Sequence, residues 1–344
     1  MTVDLELGID TFGDITAGSD GALLTHAQVL RDVAAEAELA DSVGIGFFGV
    51  GEHHRADFAV SSPEVLLGAI ASRTARIRLG SAVTVLSSDD PIRVFQRFST
   101  LDALSNGRAE VILGRGAFTE SFPLFGCDQS RYEELFEDKV SLFAALTTKA
   151  PISWSGTTRP PLVKQRVFPQ PESGSLKTWI GVGGSPESIL RAVRYDMPLM
   201  LAIIGGDPLR FRPYVDLYRS TFKDVGKSPR AIGVHSPGYV AESDQQARDQ
   251  LWPDYKVMRD RVDGERGRPP MQRTEFEHEA EFGSLYVGSA ETVASKIAKT
   301  VKTLGLSRFQ MRYSAGALPH QKLMRSIELF GTRVIPRVRS LLKK

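Results

Sequence analysis

The sequence predicts an α/β chain folded as a (β/α)8 TIM barrel. Eight times along the chain a short apolar run leads through a turn into an amphipathic segment. Those runs are unbroken apolar stretches rather than alternations, as parallel strands covered on both faces are. A doubly wound open sheet shares this alternation of elements, and the count of eight disfavours it.

The first strand is expected at 5–10. A helix follows over 25–43, with Val29, Val33, Ala37, Ala40 and Val43 on one face, Thr25 as its cap and Gly44 at its end. The second strand is 45–50. Ser61-Ser62-Pro63-Glu64 then opens a helix to about 75, with serine at the cap and proline in the first turn. The third strand is 77–85. The helix after it, 91–104, aligns Val94, Phe98 and Leu101, and Asn106-Gly107 closes it. The fourth unit is a strand at 109–113 and a helix at 131–146. Strands five to eight are expected at 178–182, 199–204, 231–240 and 308–313, each with a helical segment after it: 186–194, 207–222, 244–261 and 320–340. Two excursions exceed a minimal barrel. One, 150–175, carries Trp154, Gly156, Pro160-Pro161, Pro169 and Pro171. The other, 263–284, carries Gly264, Gly267, Pro269-Pro270 and a run of charges, and reads as a mobile loop. Long excursions of this kind are candidate lids. The whole of 1–344 is expected to be one such barrel domain.

Composition excludes several classes. Lys and Arg number 43 against 41 Asp and Glu, a net charge of +2, which gives no electrostatic case for nucleic acid or an anionic membrane. The single cysteine, Cys127, allows neither a disulfide framework nor a thiolate metal site within the chain. The start, MTVDLELGID, has no signal-peptide pattern, and the most apolar run, PLMLAII at 198–204, suits a buried strand and is too short to span a bilayer. A reducing cytoplasm is the expected location.

Barrel chemistry lies where strands end. After the fifth strand, Gly183-Gly184-Ser185-Pro186-Glu187-Ser188 opens a helix. Two glycines allow close backbone approach, Ser185 sits at the cap and Ser188 one turn on, so free N–H groups and the helix dipole favour an anion. Arg115, set between two glycines after the fourth strand, can complete a phosphate site; a merely well-capped helix start and a surface ion pair are the plain alternatives. After the second strand stand Glu52, His53 and His54. Neighbouring residues at a strand end point oppositely, which disfavours a shared metal, and no third ligand is near; no metal is expected. One histidine then serves the site as base or hydrogen-bond donor and the other supports or packs, or both are satisfied in a polar loop. His235 reads as a buried, satisfied histidine, and Cys127 as a passive one.

These residues sit in segments that resemble the bacterial luciferase-like, flavin-dependent monooxygenases. The landmarks are GEHHRADFAVSSPEVLLGAIASRTARIRLGSAVTVL, DPIRVFQRFSTLDALSNGRAEVILGRG, GGSPESILRAVRYDMPLMLAIIGGDP and LYVGSAETVASKIAKTVKTLGLSRFQMRYSAGALPH. Their order and spacing carry the resemblance over nearly the whole chain. It implies a (β/α)8 barrel and reduced FMN as co-substrate. His53 would be the catalytic histidine beside the flavin ring. Arg115, Gly184, Ser185 and Ser188 would hold the phosphate. Ala82-Val83 would be a non-proline cis peptide under the ring, and Thr84 would line it.

Two departures separate the chain from luciferase itself. Ser87-Ser88-Asp89-Asp90 replaces a segment with proline and histidine, and Gly114 replaces a cysteine. A light-emitting role therefore does not follow. The resemblance implies an oxygenase that uses a C4a-peroxyflavin to oxygenate a small organic substrate. A separate flavin reductase would feed it, because no GxGxxG fingerprint opens a helix here. A homodimer would pair through helices of the early units. Some relatives use F420 and do not activate oxygen, and that is the alternative, less favoured by Arg115 with Ser185 and Ser188. A flavin-binding protein without turnover is a further rival. A sugar-phosphate isomerase or aldolase lacks support, since no strand end offers a lysine for a Schiff base.

Overall fold

In the computed structural model, which describes residues 5–116, 118–148 and 151–343, eight parallel strands close into a ring. Along the chain run β1 (Glu6–Thr11), α1 (His26–Ser42), β2 (Phe47–Val50), α2 (Pro63–Ala71), β3 (Arg78–Ser81), β4 (Thr84–Val85), α3 (Pro91–Leu104) and β5 (Ala109–Gly114). Next come α4 (Ser121–Leu124), α5 (Tyr132–Leu146), β6 (Ile152–Trp154), β7 (Leu162–Gln165), β8 (Lys177–Val182), α6 (Pro186–Arg194), β9 (Leu199–Ala202) and α7 (Arg212–Asp224). The chain ends with β10 (Ile232–Val240), α8 (Asp244–Glu265), α9 (Arg273–Glu281), β11 (Tyr286–Gly288), α10 (Ala290–Leu304), β12 (Arg308–Arg312), α11 (His320–Leu329) and α12 (Ile335–Leu342). The ring order is β1-β2-β3-β5-β8-β9-β10-β12, closed by β12 on β1. The short β4 adds to β5 and β11 adds to β10. The predicted barrel is therefore the fold.

The predicted caps hold in most places. Thr25 Oγ1 accepts from the Gln28 N–H at 3.2 Å; Asp90, ahead of Pro91, adds a cap that was not foreseen, accepting from Ile92 and Arg93. Ser62 precedes α2 without a side-chain cap, and that helix stops at Ala71, short of the expected 75. Tertiary partners take over there. Arg108 binds the carbonyls of Ala71 and Thr74, and the Asp41 carboxylate accepts from the N–H groups of Ala75, Arg76 and Ile77.

The third strand is interrupted. Its ladder stops at Ser81, passes through a cis peptide between Ala82 and Val83, and resumes as β4. The C-terminal helix is also divided, by a π segment at Phe330–Val334. There Gly331 lies against Val43, and a Cβ on it would come within 2.3 Å of the Val43 side chain.

Both excursions hold more structure than expected. The first, whose leading residue Ala150 lies outside the described residues, forms an antiparallel hairpin, β6 with β7. Its polar contacts go to α3 and α5: Trp154 donates to Ser141, Thr157 and Thr158 to Asp138, and Ser173 to Asp102. It is thus fastened to α3 and α5, and Arg159 reaches Asp90 at the start of α3. The expected mobile loop at 263–284 contains α9. Gln272 and Glu275 cap that helix reciprocally, and Phe276 and Ala280 are buried beneath it. No described helix is long and apolar enough to cross a membrane.

Candidate active site

Strand pairing decides which side chains enter the barrel. The lower layer is filled: Arg308 lies between the rings of Phe47 and Trp179, 4.5 and 4.4 Å from their centroids, and donates to Glu110 at 2.7 Å and to Glu6. Trp179 Nε1 also donates to Glu110. Most TIM barrels stack further layers above such a floor. Near the mouth the inward positions of β2, β3, β5, β8 and β9 are Gly49, Ala82, Gly114, Gly181 and Ala202, with Val83 beside them, so little fills this side of it. A Cβ on Gly114 would meet Val83 Cγ2 at 2.4 Å, and one on Gly181 would meet Val83 Cγ1 at 3.1 Å. These glycines let the Ala82-Val83 segment lie across the barrel. Val83, Gly181 and Ala202 remain partly exposed at the mouth. The Val83 side chain is the physical reason that a larger residue does not fit at Gly114.

On one rim stand the residues of Glu52-His53-His54, and the two rings part company. His54 Nε2 is 2.8 Å from Glu52 Oε1, and its ring meets the edge of Phe125. Glu52 Oε2 accepts from the Val85 N–H at 3.0 Å, tying this turn to the end of β4. His53 instead enters an aromatic cage: Phe58 is stacked on it at 4.4 Å, and Phe12 and Phe118 meet it edge-on. Its Nδ1 is 3.8 Å from Glu120, longer than a hydrogen bond. Burial pushes the Glu120 carboxyl up, but His53 and Arg55 outweigh it and hold it below its ordinary range. Arg55 covers Phe118 and reaches Glu265 at the end of α8 with bonds of 3.1 and 2.5 Å. The second excursion therefore does touch the mouth.

On the opposite rim the residues expected to hold an anion lie together. Gly184 takes φ +102°, and Ser185 caps α6 by accepting from the Ser188 N–H. Ser185 Oγ and Ser188 Oγ are 3.0 Å apart, and Arg115 Nη2 lies 3.4 Å from Ser188 Oγ. Arg115 also pairs with Glu133, which in turn pairs with Arg191 at 3.2 Å. Arg191 is buried, and its Nη1 has no partner among the described residues. Thr84, between the rims, is fully buried with its Oγ1 unpartnered.

Sequence reading missed one pair. His235 is buried and bonded as expected, but its partner was not foreseen: it faces inward with Nδ1 2.8 Å from Asp10 Oδ2, and its ring lies parallel to Phe12. The two residues stand 225 positions apart, and no local motif links them. Arg191 was also missed; its place one turn after Ser188 was the available signal.

The profile of the luciferase-like monooxygenase family matches residues 11–308. The chain is similar to 4-hydroxyprotoasukamycin monooxygenase of Streptomyces nodosus subsp. asukaensis, 27% identical over 88% of this chain and 85% of that one. Among solved structures it resembles the monooxygenase RslO1 from Streptomyces bottropensis, with a TM-score of 0.83, 22% identity and coverage of 96% and 99%. Two further similar structures differ in cofactor. The oxygenating constituent of 3,6-diketocamphane monooxygenase from Pseudomonas putida, in complex with FMN, has a TM-score of 0.76, 17% identity and coverage of 97% and 99%. The coenzyme F420-dependent tetrahydromethanopterin reductase of Methanopyrus kandleri has a TM-score of 0.72, also at 17% identity and the same coverage.

Proposed function

The chain belongs to the luciferase-like monooxygenase family, and from that premise we propose that it is an FMN-dependent monooxygenase. It uses reduced FMN and molecular oxygen to oxygenate a small organic substrate. One observation carries the choice of FMN: Arg115 converges with Ser185 and Ser188 at the start of α6, beside a mouth floored by glycine. A helix N-terminus, two hydroxyls and a guanidinium suit a phosphate monoester. Arg191, with its unpartnered buried Nη1, adds charge behind it.

Reduced FMN, when bound, supplies the electrons that let oxygen be divided between substrate and water. The protein's residues do the rest. Gly184, Ser185, Ser188 and Arg115 hold the phosphate; Ala82, Val83 and Thr84 support the ring. His53, in its aromatic cage, holds or passes a proton at the other rim. A separate flavin reductase supplies the reduced cofactor. The protein pairs as a homodimer over α1 and α2, where Leu30, Ala34, Val60 and Leu66 line an apolar groove and Val65 is 73% exposed.

The test is a titration of purified protein with FMN, riboflavin and F420, followed by flavin fluorescence. FMN should bind most tightly. Arg115→Ala should weaken FMN by about ten- to a hundredfold, the loss of one charge-assisted contact, and leave riboflavin nearly unchanged. Equal losses for both, or tighter binding of F420, would overturn the assignment.

A further inference from the structure

The Asp10–His235 pair has no part in the cofactor scheme above. Asp10 is fully buried on β1 and His235 nearly so on β10, both facing inward above the filled floor. An ionised carboxylate only accepts hydrogen bonds, so with Asp10 ionised the 2.8 Å contact takes the tautomer with its proton on His235 Nδ1. Nε2 is left with its lone pair and bonds no described residue. The surrounding atoms are equally unspent. Asp10 Oδ1 and both amide atoms of Gln310, the register neighbour of His235 on β12, are buried without partners. Phe12 lies parallel to the His235 ring at 5.9 Å and leads on to His53 at 4.8 Å, so the imidazole forms part of an aromatic wall shared with the proposed reaction site.

We propose that His235 Nε2, positioned by Asp10, accepts the proton of a substrate hydroxyl, and that the substrate is a flat ring compound with an acidic hydroxyl, of phenol or enol type. The inference rests on the monooxygenase reading above and names the substrate class for that same mouth. An acceptor in an aromatic slot selects a ring that brings a donor; a ketone or an ether offers none and leaves Nε2 buried and unpaired. The proton passes from the substrate oxygen to Nε2, and the electron pair of the broken O–H bond stays on oxygen and spreads into the ring. The Asp10 carboxylate balances the imidazolium. The ring carbon beside that oxygen becomes electron-rich, the condition an oxygen-transfer step to carbon needs. His235 touches the substrate; Asp10 is a positioning residue.

The experiment compares 4-nitrophenol with its methyl ether, 4-nitroanisole, on purified wild-type protein with and without FMN, read by phenolate absorbance and by calorimetry. Wild type should bind the phenol at least about tenfold more tightly than the ether, and the bound phenol should ionise at lower pH than in solution. His235→Gln and Asp10→Asn should abolish both differences while FMN affinity, read by fluorescence, stays within about twofold. Equal binding of phenol and ether to wild type, or no binding of the phenol, overturns the proposal whether or not the variants fold. An unchanged phenol preference in His235→Gln also overturns it. Failure of wild type to bind FMN would instead strike the monooxygenase reading, and it is measured separately.

Discussion

Gly114 shows how much of the site depends on an atom that is missing. With a Cβ there, Val83 would be met at 2.4 Å, so Gly114→Cys must displace the Ala82-Val83 segment. We expect a stability loss of about 1–3 kcal/mol by urea unfolding, as for other overpacked sites, together with weaker FMN binding. Glu133 works the opposite way. Its carboxylate sits on Arg115, the guanidinium a phosphate needs, and it is 60% exposed, so it can swing away. Glu133→Gln should therefore tighten FMN binding several-fold in a fluorescence titration; weaker binding would mean that Glu133 organises Arg115 rather than competing for it. His53→Ala should leave FMN affinity within about twofold but divert oxidation from product to hydrogen peroxide, measured as the ratio of the two. His53 and Arg115 were legible from sequence because each sits inside a contiguous motif at a strand end. Asp10 and His235 were not, because β1 and β10 meet only through β12.

At the scale of elements, α1 and α11 are joined through one buried carboxylate. Glu36 on α1 accepts from Tyr313 at 2.6 Å and pairs with His320 Nδ1 at 2.7 Å. The hydrogen bond to Glu36 raises the His320 pKa above 6.5, and burial opposes it without prevailing. A raised histidine stabilises the fold fully below its unfolded value, and that contribution fades as pH rises through the folded one. The melting-temperature deficit of His320→Ala should thus be largest near about pH 6 and shrink toward about pH 9; a deficit independent of pH would show that the contact is packing alone. The helices themselves were readable from their period and caps, α3 and α6 to the residue. The misses have physical causes. The Gln272–Glu275 cap of α9 follows a Gly- and Pro-rich stretch that reads as loop, and it is a glutamine where serine or threonine is the usual sign. The β6–β7 hairpin has neither a tight turn signal nor clean alternation, and α5 supplies the surface that holds it.

Across the whole molecule, the two ends of the barrel do different work. The mouth is kept open by small residues. The floor is closed by Arg308, which is buried between two aromatic rings and bound by Glu6 and Glu110, with Lys177 and Arg78 beside them. Burial pushes the Glu110 carboxyl up, yet Arg308, Lys177 and Arg78 outweigh it and bring it down to about 2. A depressed carboxylate stabilises the fold above its unfolded value of 4.5, and that contribution is lost as pH falls through the folded one. Acid unfolding of wild type should therefore steepen between those values, and Glu110→Gln should flatten that limb. Breaking the pair from either side leaves a buried charge without its counter-charge, so Arg308→Met and Glu110→Gln should each cost about 3–5 kcal/mol in urea unfolding. The double variant removes both charges, and its cost should fall well short of the sum. Ile112 and Met200, packed with Phe47 and Trp179, lie between this floor and Val83 at the mouth, so every variant that folds should retain wild-type FMN affinity. Additive costs would mean that Lys177 and Arg78 already compensate each partner, and a loss of FMN affinity would mean that the floor sets the shape of the mouth.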